Sequence, residues 1–239
     1  MTVKDIPAVD RLLAKEFVAH DAPIIELIEA HTHDPFCVLV GTILSARTKD
    51  ACTAGAVRRL FAARERPAED APLNRFTPAD LAKLGVAEIE KLIYPVGFFH
   101  DKARHLKELP AALAQFFPEG LDRAADGLKD VPGYNALVER LCQLPGVGRK
   151  TANLTVAVGY DLPAVCVDVH VHRISNRLGL VVTKTPLETE MKLREILPVK
   201  YWKTWNSHLV SFGQTRCAPR GPRCADCPIR KYCPSAQVV

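Results

Sequence analysis

Along most of the chain, apolar residues recur at three- and four-residue intervals with charges between them, the spacing that puts one apolar face on a helix. Ile6, Val9, Leu12, Leu13 and Phe17 follow it over residues 5 to 19, and Pro23 interrupts it. From Asp34, an N-cap with Pro35 at the first helical position, the run PFCVLVGTILSA is apolar all round and predicts a buried central helix. Arg47-Thr48-Lys49-Asp50 breaks that run, and a second helix capped by Asp50 extends through Leu60. Residues 64 to 76, with Pro67, Pro72 and Asn74, read as an exposed loop. Thr77-Pro78 with Asp80 opens a short helix ending at Gly85, and another reaches Ile93. Gly97 reads as a helix C-cap, leaving Phe98 and Phe99 at a junction as either core or protruding wedge. Helical spacing resumes from Lys102 through Leu106, Leu109, Leu113 and Phe117, broken or bent near Pro110, and a further helix covers 133 to 143.

That last helix leads into LPGVGRKTAN, residues 144 to 153. Pro145, Gly146 and Gly148 form a tight turn between two apolar stretches, which makes a helix, a hairpin and a helix. Without side chains at the two glycines, backbone N–H groups can approach an anion closely, and the second helix adds its positive dipole end. The anion implied is a nucleic-acid phosphate. A nucleotide P-loop is the rival, but Arg149 stands between Gly148 and Lys150, so the Gly-Lys-Ser/Thr order is missing. Further on, Val165, Val167, Val169 and Val171 alternate with Cys166, Asp168, His170 and His172, a strand-like period with no partner strand elsewhere. Thr185-Pro186 with Glu188 has the form of a capping box, and Trp202, Trp205, Leu209 and Phe212 supply an apolar face for the N-terminal helix and the C-terminal tail.

A chain of 239 residues with 48% apolar side chains can bury one or two cores. No run of about 18 apolar residues occurs, and no charged-then-apolar leader opens the chain, so a soluble cytoplasmic protein without a membrane partner is expected. The formal net charge of +5 permits nucleic-acid binding without requiring it, and its distribution is uneven. Between Thr215 and Lys231 stand five basic residues and one acidic one, Asp226.

The eight cysteines divide in two. Cys37, Cys52, Cys142 and Cys166 are scattered in apolar or mixed segments and read as small buried hydrophobes. Cys217, Cys224, Cys227 and Cys233 form Cys-x6-Cys-x2-Cys-x5-Cys in a basic, Pro-rich tail with no apolar pattern of its own. Such a tail needs something other than a core to hold it. In a reducing compartment that is a metal centre, and four thiolates suit structural zinc or an iron–sulfur cluster alike.

Together, LPGVGRKTAN (144–153), VDVHVHR (167–173) and the cysteine spacing resemble the endonuclease III family of helix-hairpin-helix DNA glycosylases over nearly the whole chain. The resemblance implies an all-α fold in two lobes. One is a six-helix lobe with the hairpin, residues 29–161, and the other a cluster lobe built from both chain ends, 1–28 and 162–239. It makes Cys217, Cys224, Cys227 and Cys233 the ligands of a [4Fe–4S] cluster, and it turns Asp168 into the cap of a helix running through Leu178. The partner it implies is duplex DNA with a damaged base or an abasic site, bound by a monomer.

For chemistry, the resemblance assigns catalysis to Lys150 and Asp168. A lysine amine attacking the sugar C1′ expels the base and forms a Schiff base, and β-elimination then cleaves the backbone 3′ to the lesion. Asp168 can accept a proton or offset positive charge on the sugar. DNA contacts fall to the hairpin, Leu144, Pro145, Gly146, Val147, Gly148, Arg149 and Thr151, and to Arg220 and Arg223 of the tail. A flipped-out base leaves a gap to be filled. The family commonly places a Gln of LSAQ there; this chain has LSAR, so Arg47 takes that position and Phe98 that of an apolar wedge, while His170 is a candidate lesion contact. An adenine-mismatch glycosylase of the same superfamily shares the hairpin and the cluster but lacks a catalytic lysine at position 150. A non-catalytic iron–sulfur DNA-binding protein leaves Lys150 and Asp168 unexplained, and an electron carrier explains only the cysteines.

Overall fold

The computed structural model describes residues 1–18, 28, 34–63 and 76–237. These are helical or irregular, with no strand among them. The chain divides into two compact units, Met1–Pro23 with Pro163–Val239, and Ile24–Leu162. The expected break at Pro23 and most of the expected loop lie outside the described residues. The loop's last residue, Phe76, is not exposed: it is buried and stacked on Phe36 and Phe61, with ring centroids 6.2 and 5.1 Å away.

Helix α1 (Ile6–Val18) belongs to the first unit. In the second, α2 (Pro35–Ser45) is the central element: every residue from Phe36 to Leu44 is buried. Asp34 caps it through Oδ1, accepting from the amides of Phe36 (2.7 Å) and Cys37 (3.2 Å). The same unit holds α3 (Asp50–Ala62), α4 (Pro78–Lys83), α5 (Val86–Ile93), α6 (Phe99–Phe116) and α7 (Val131–Leu141), of which α3 and α6 pack on α2. A last helix, α8 (Arg149–Leu154), runs into a π turn, Thr155–Gly159, whose Gly159 lies against Pro35 of α2. Thr77 and Asp80 form a capping box at the start of α4.

Three local expectations change. Asp50 is the first residue of α3, not its cap; Lys49 holds the cap position without a side-chain bond. Gly97 is not a left-handed C-cap. That conformation belongs to Phe98, at φ 58°, while a side chain on Gly97 would strike the Arg47 carbonyl oxygen at 2.6 Å. Pro110 lies inside α6, which is assigned as one helix through it.

In the first unit, α9 (Val169–Arg177), α10 (Pro186–Ile196) and α11 (Trp202–Thr215) follow one another, and α1 packs on α11. Trp202, Trp205, Leu209 and Phe212 are buried as their spacing predicts. The Val165–Val171 alternation is not a strand. Residues 161–168 are irregular, α9 begins after Asp168, and the helical turn leaves Val169 exposed while Val171 is buried. Glu188 does not close a box with Thr185: its Oε2 accepts from the Lys184 amide, one residue earlier, and its Oε1 from the Thr185 hydroxyl. No described helix is long and apolar enough to cross a membrane.

Candidate DNA-repair site

The hairpin joins α7 to α8. Gly146 sits at φ 73°, and a Cβ there would meet the His105 ring at 2.9 Å, so both backbone and packing demand glycine. Gly148 differs: it is the N-cap of α8, exposed, with nothing within 4 Å of where a Cβ would stand. Its main chain is open to a ligand. Leu144, Val147 and Thr151 are buried, so as DNA contacts these three offer main-chain groups rather than side chains. Pro145 and Arg149 are half-buried, and Arg149 Nη1 donates to Glu139 Oε1 at 2.6 Å, tying the two hairpin helices. Lys150, at the second position of α8, is exposed.

Within this same unit, Arg47, Phe98 and Gly146 line one surface cavity of about 280 Å³, with Lys102 and His105 in its wall. Arg47 and Phe98 are both exposed, and both hold left-handed backbone, φ 53° and 58°. The Arg47 guanidinium carbon stands 5.5 Å from the centroid of the Phe98 ring. A phenylalanine left 59% exposed forgoes most of its burial energy, and each non-glycine residue in this conformation costs about 1–2 kcal/mol. The wedge alternative for Phe98, rather than core packing, is the one its exposure fits. Sequence reading passed over Lys102, although its phase was a signal: it occupies the same stripe as Leu106, Leu109 and Leu113, all buried.

In the other unit, Asp168 caps α9. Its Oδ1 accepts from the amides of His170 and Val171, each at 2.9 Å, so the carboxylate is fixed by the helix it starts. His170 is half-buried; its Nδ1 lies 3.2 Å from Arg173 Nη2, and its ring packs where a side chain on Gly213 would collide at 2.4 Å. Arg173 donates onward to the Cys217 carbonyl at 2.8 Å. Its guanidinium is lowered by burial.

All four tail cysteines line a cavity of about 240 Å³, floored by Phe212 and Ile229. Arg177 borders it and donates to Cys217 Sγ (3.3 Å), the Ala218 carbonyl (2.7 Å) and the Pro219 carbonyl (2.9 Å). Burial, and to a lesser extent the neighbouring cysteines, push the Cys227 and Cys233 thiols up. Among the described residues no three His, Cys, Asp or Glu side chains are gathered for a single metal ion. Arg216 fastens the loop to α1 and to itself through Glu16 (3.0 Å) and Asp226 (2.8 Å). Arg220 and Arg223 are exposed, and Arg223 also donates to the Thr215 carbonyl. Of the other cysteines, Cys37 and Cys166 are buried and Cys52 and Cys142 half-buried, so the reading as buried hydrophobes fits the first two.

A two-unit helical fold with a glycine hairpin is a fold of DNA base-excision enzymes: the family described as HhH-GPD superfamily base excision DNA repair protein matches residues 40–199. Endonuclease III of Thermotoga maritima is 40% identical over 84% of this chain and 83% of its own length, and endonuclease III-like protein 1 of Bos taurus is 39% identical over 91% and 67%. A solved structure of a trapped endonuclease III–DNA covalent intermediate, an estranged-adenine complex, is 30% identical and superposes with a TM-score of 0.75 over 100% of this chain and 98% of that one. The chain belongs to the endonuclease III family.

Proposed function

We propose that this chain excises oxidised pyrimidines from duplex DNA with Lys150 as nucleophile and Asp168 as its carboxylate partner. The enzyme class, a DNA glycosylase with lyase activity acting on DNA, follows from family membership. What carries the residue assignment is the placement of an exposed lysine in the first turn after an open glycine N-cap, two residues on, where a phosphate can seat on the Gly148 main chain. Lys150 Nζ, once deprotonated, attacks C1′ and the base leaves with the glycosidic electron pair. Loss of the ring oxygen bond gives the imine, and removal of the C2′ proton expels the 3′ phosphate. Asp168 is held in place by its cap bonds and so needs no reordering to take a proton or to face a developing sugar cation. Hairpin main chain, Arg220 and Arg223 serve the backbone, Arg47 and Phe98 the gap left by the flipped nucleotide, and His170 the lesion.

Four cysteines around a cavity of about 240 Å³ fit a [4Fe–4S] cluster. Cys217, Cys224, Cys227 and Cys233 would hold the cluster, and it supplies the cross-links that a loop without its own core lacks.

The test is a gel. Duplexes carrying thymine glycol or an abasic site should be converted to the β-elimination product, and an A·G mismatch left intact. An intact abasic strand as the end product would mark a water-using, monofunctional enzyme. Cleavage of the mismatch alone would favour the adenine-type relative.

A further inference from the structure

Lys102 is a charge buried in an apolar stripe, only 6% exposed. Its three ammonium protons meet three acceptors: the carbonyls of Leu44 and Ala46, each at 2.7 Å, and Thr48 Oγ1 at 3.1 Å. Leu44 and Ala46 belong to the C-terminal end of α2, where orphan carbonyls and the negative dipole end attract a cation. Thr48 does more than accept. Its hydroxyl donates to the Ala46 carbonyl (3.2 Å) and accepts from the Gly97 amide (3.1 Å), while Gly97 lies so close to the Arg47 carbonyl that no side chain fits between.

These bonds tie together two segments half a hundred residues apart in sequence. Each segment presents one exposed side chain on left-handed backbone, Arg47 on the first and Phe98 on the second, and the two meet in a cation–π contact. We propose that Lys102 is a positioning residue for base extrusion: its ammonium locks the Arg47 turn and the Phe98 turn into one preformed wedge that enters the duplex as a unit. The inference rests on reading Arg47 and Phe98 as the gap-filling pair, and it adds a reason for their joint geometry. A methionine of similar length would fill the same space yet leave two carbonyls without their donor, so packing alone does not call for lysine here. Burial pulls the Lys102 ammonium down to about 8, a penalty accepted at the point where two strained residues converge. Preordering matters because a wedge that is already rigid loses little entropy on entering the stack.

The protein is assayed on two substrates: duplex with thymine glycol opposite 2-aminopurine, and single-stranded DNA with a preformed abasic site. The readouts are the ratio of duplex to single-strand turnover and the fluorescence rise as the orphan 2-aminopurine unstacks. Lys102→Met should lower the ratio by about 10–100-fold, as a misplaced positioning group does, and should suppress the fluorescence rise. Added to Arg47→Ala/Phe98→Ala, the same change should lower the ratio by less than about twofold, because coupled groups do not add. Equal loss on both substrates, or an undiminished loss in that background, would overturn the proposal. If Arg47→Ala/Phe98→Ala alone leaves the ratio unchanged, the wedge reading itself fails and Lys102 falls with it. Should Lys102→Met not fold, Thr48→Val removes the shared hydroxyl at nearly constant volume; an unchanged ratio in that variant counts against the clamp.

Discussion

On the proposed reading Asp168 carries two duties on one carboxylate, and substitutions separate them. Asp168→Asn keeps an oxygen that can accept the His170 and Val171 amides, so unfolding in urea should shift by less than about 1 kcal/mol, whereas Asp168→Ala should lose the cap at a cost of about 0.5–2 kcal/mol. Both should lose turnover by roughly 10²–10⁴-fold if the charge assists proton transfer. An active, stable Asn variant would reduce Asp168 to a cap. Phe98 makes the opposite prediction. Glycine adopts φ 58° freely, so Phe98→Gly should leave stability unchanged or raise it by about 1 kcal/mol, while duplex excision falls. Lys102 sets a pH dependence whose sign is fixed. Its ammonium titrates near 8 when folded and near 10.5 when unfolded. In that interval the unfolded chain holds the extra proton, so the residue's contribution to stability rises with pH. Urea unfolding of the native chain and Lys102→Met at pH 7 and pH 10 isolates this, because every other group, Cys52, Asp101 and His105 among them, is common to both chains. A native chain that gains nothing over the variant at pH 10 would contradict the buried ammonium.

At the scale of elements, the two hairpin glycines should part company. Gly146→Ala forces a side chain into left-handed backbone against His105 and should destabilise by roughly 1–3 kcal/mol. Gly148→Ala points into open space and should change stability by at most about 1 kcal/mol while weakening DNA binding in anisotropy. A Gly148→Ala variant with full affinity would show that no phosphate approaches that main chain. In the tail, Arg220→Glu should weaken binding to any duplex and flatten its salt dependence, because one fewer phosphate is neutralised. Most helices were legible because caps are local: Asp34 and Thr77 each announce a start in one residue, whereas the cap at Asp168 came from the family resemblance. The cysteine tail was legible because four thiols without a core have few uses. The clamp was not, since Lys102, Thr48 and Gly97 acquire meaning only from backbone carbonyls brought together by folding. Gly97 misled for a related reason: its lack of a side chain serves the Arg47 carbonyl rather than its own torsion. The valine alternation has a strand's period because irregular chain followed by a helix turn places Val165, Val167 and Val171 inside as a strand would place them on one face; the helix after Asp168, taken from the resemblance, is the reading that holds.

At the scale of the molecule, both chain ends build one unit and the middle builds the other, with Met1 itself donating to the Leu178 carbonyl at 2.9 Å. Purified protein should be yellow-brown with about four irons per chain. Stoichiometric zinc without visible absorbance would exclude the cluster. The chain-wide claim is that this fold presents Lys150 as a nucleophile, and borohydride reduction tests it most directly. With duplex containing an oxidised pyrimidine, the imine should be trapped as a stable protein–DNA adduct, with the linkage mapped by peptide mass spectrometry to Lys150. Lys150→Gln should give neither adduct nor base release while still binding the duplex. An adduct on another amine, or base release by Lys150→Gln with the abasic strand left intact, would contradict the account.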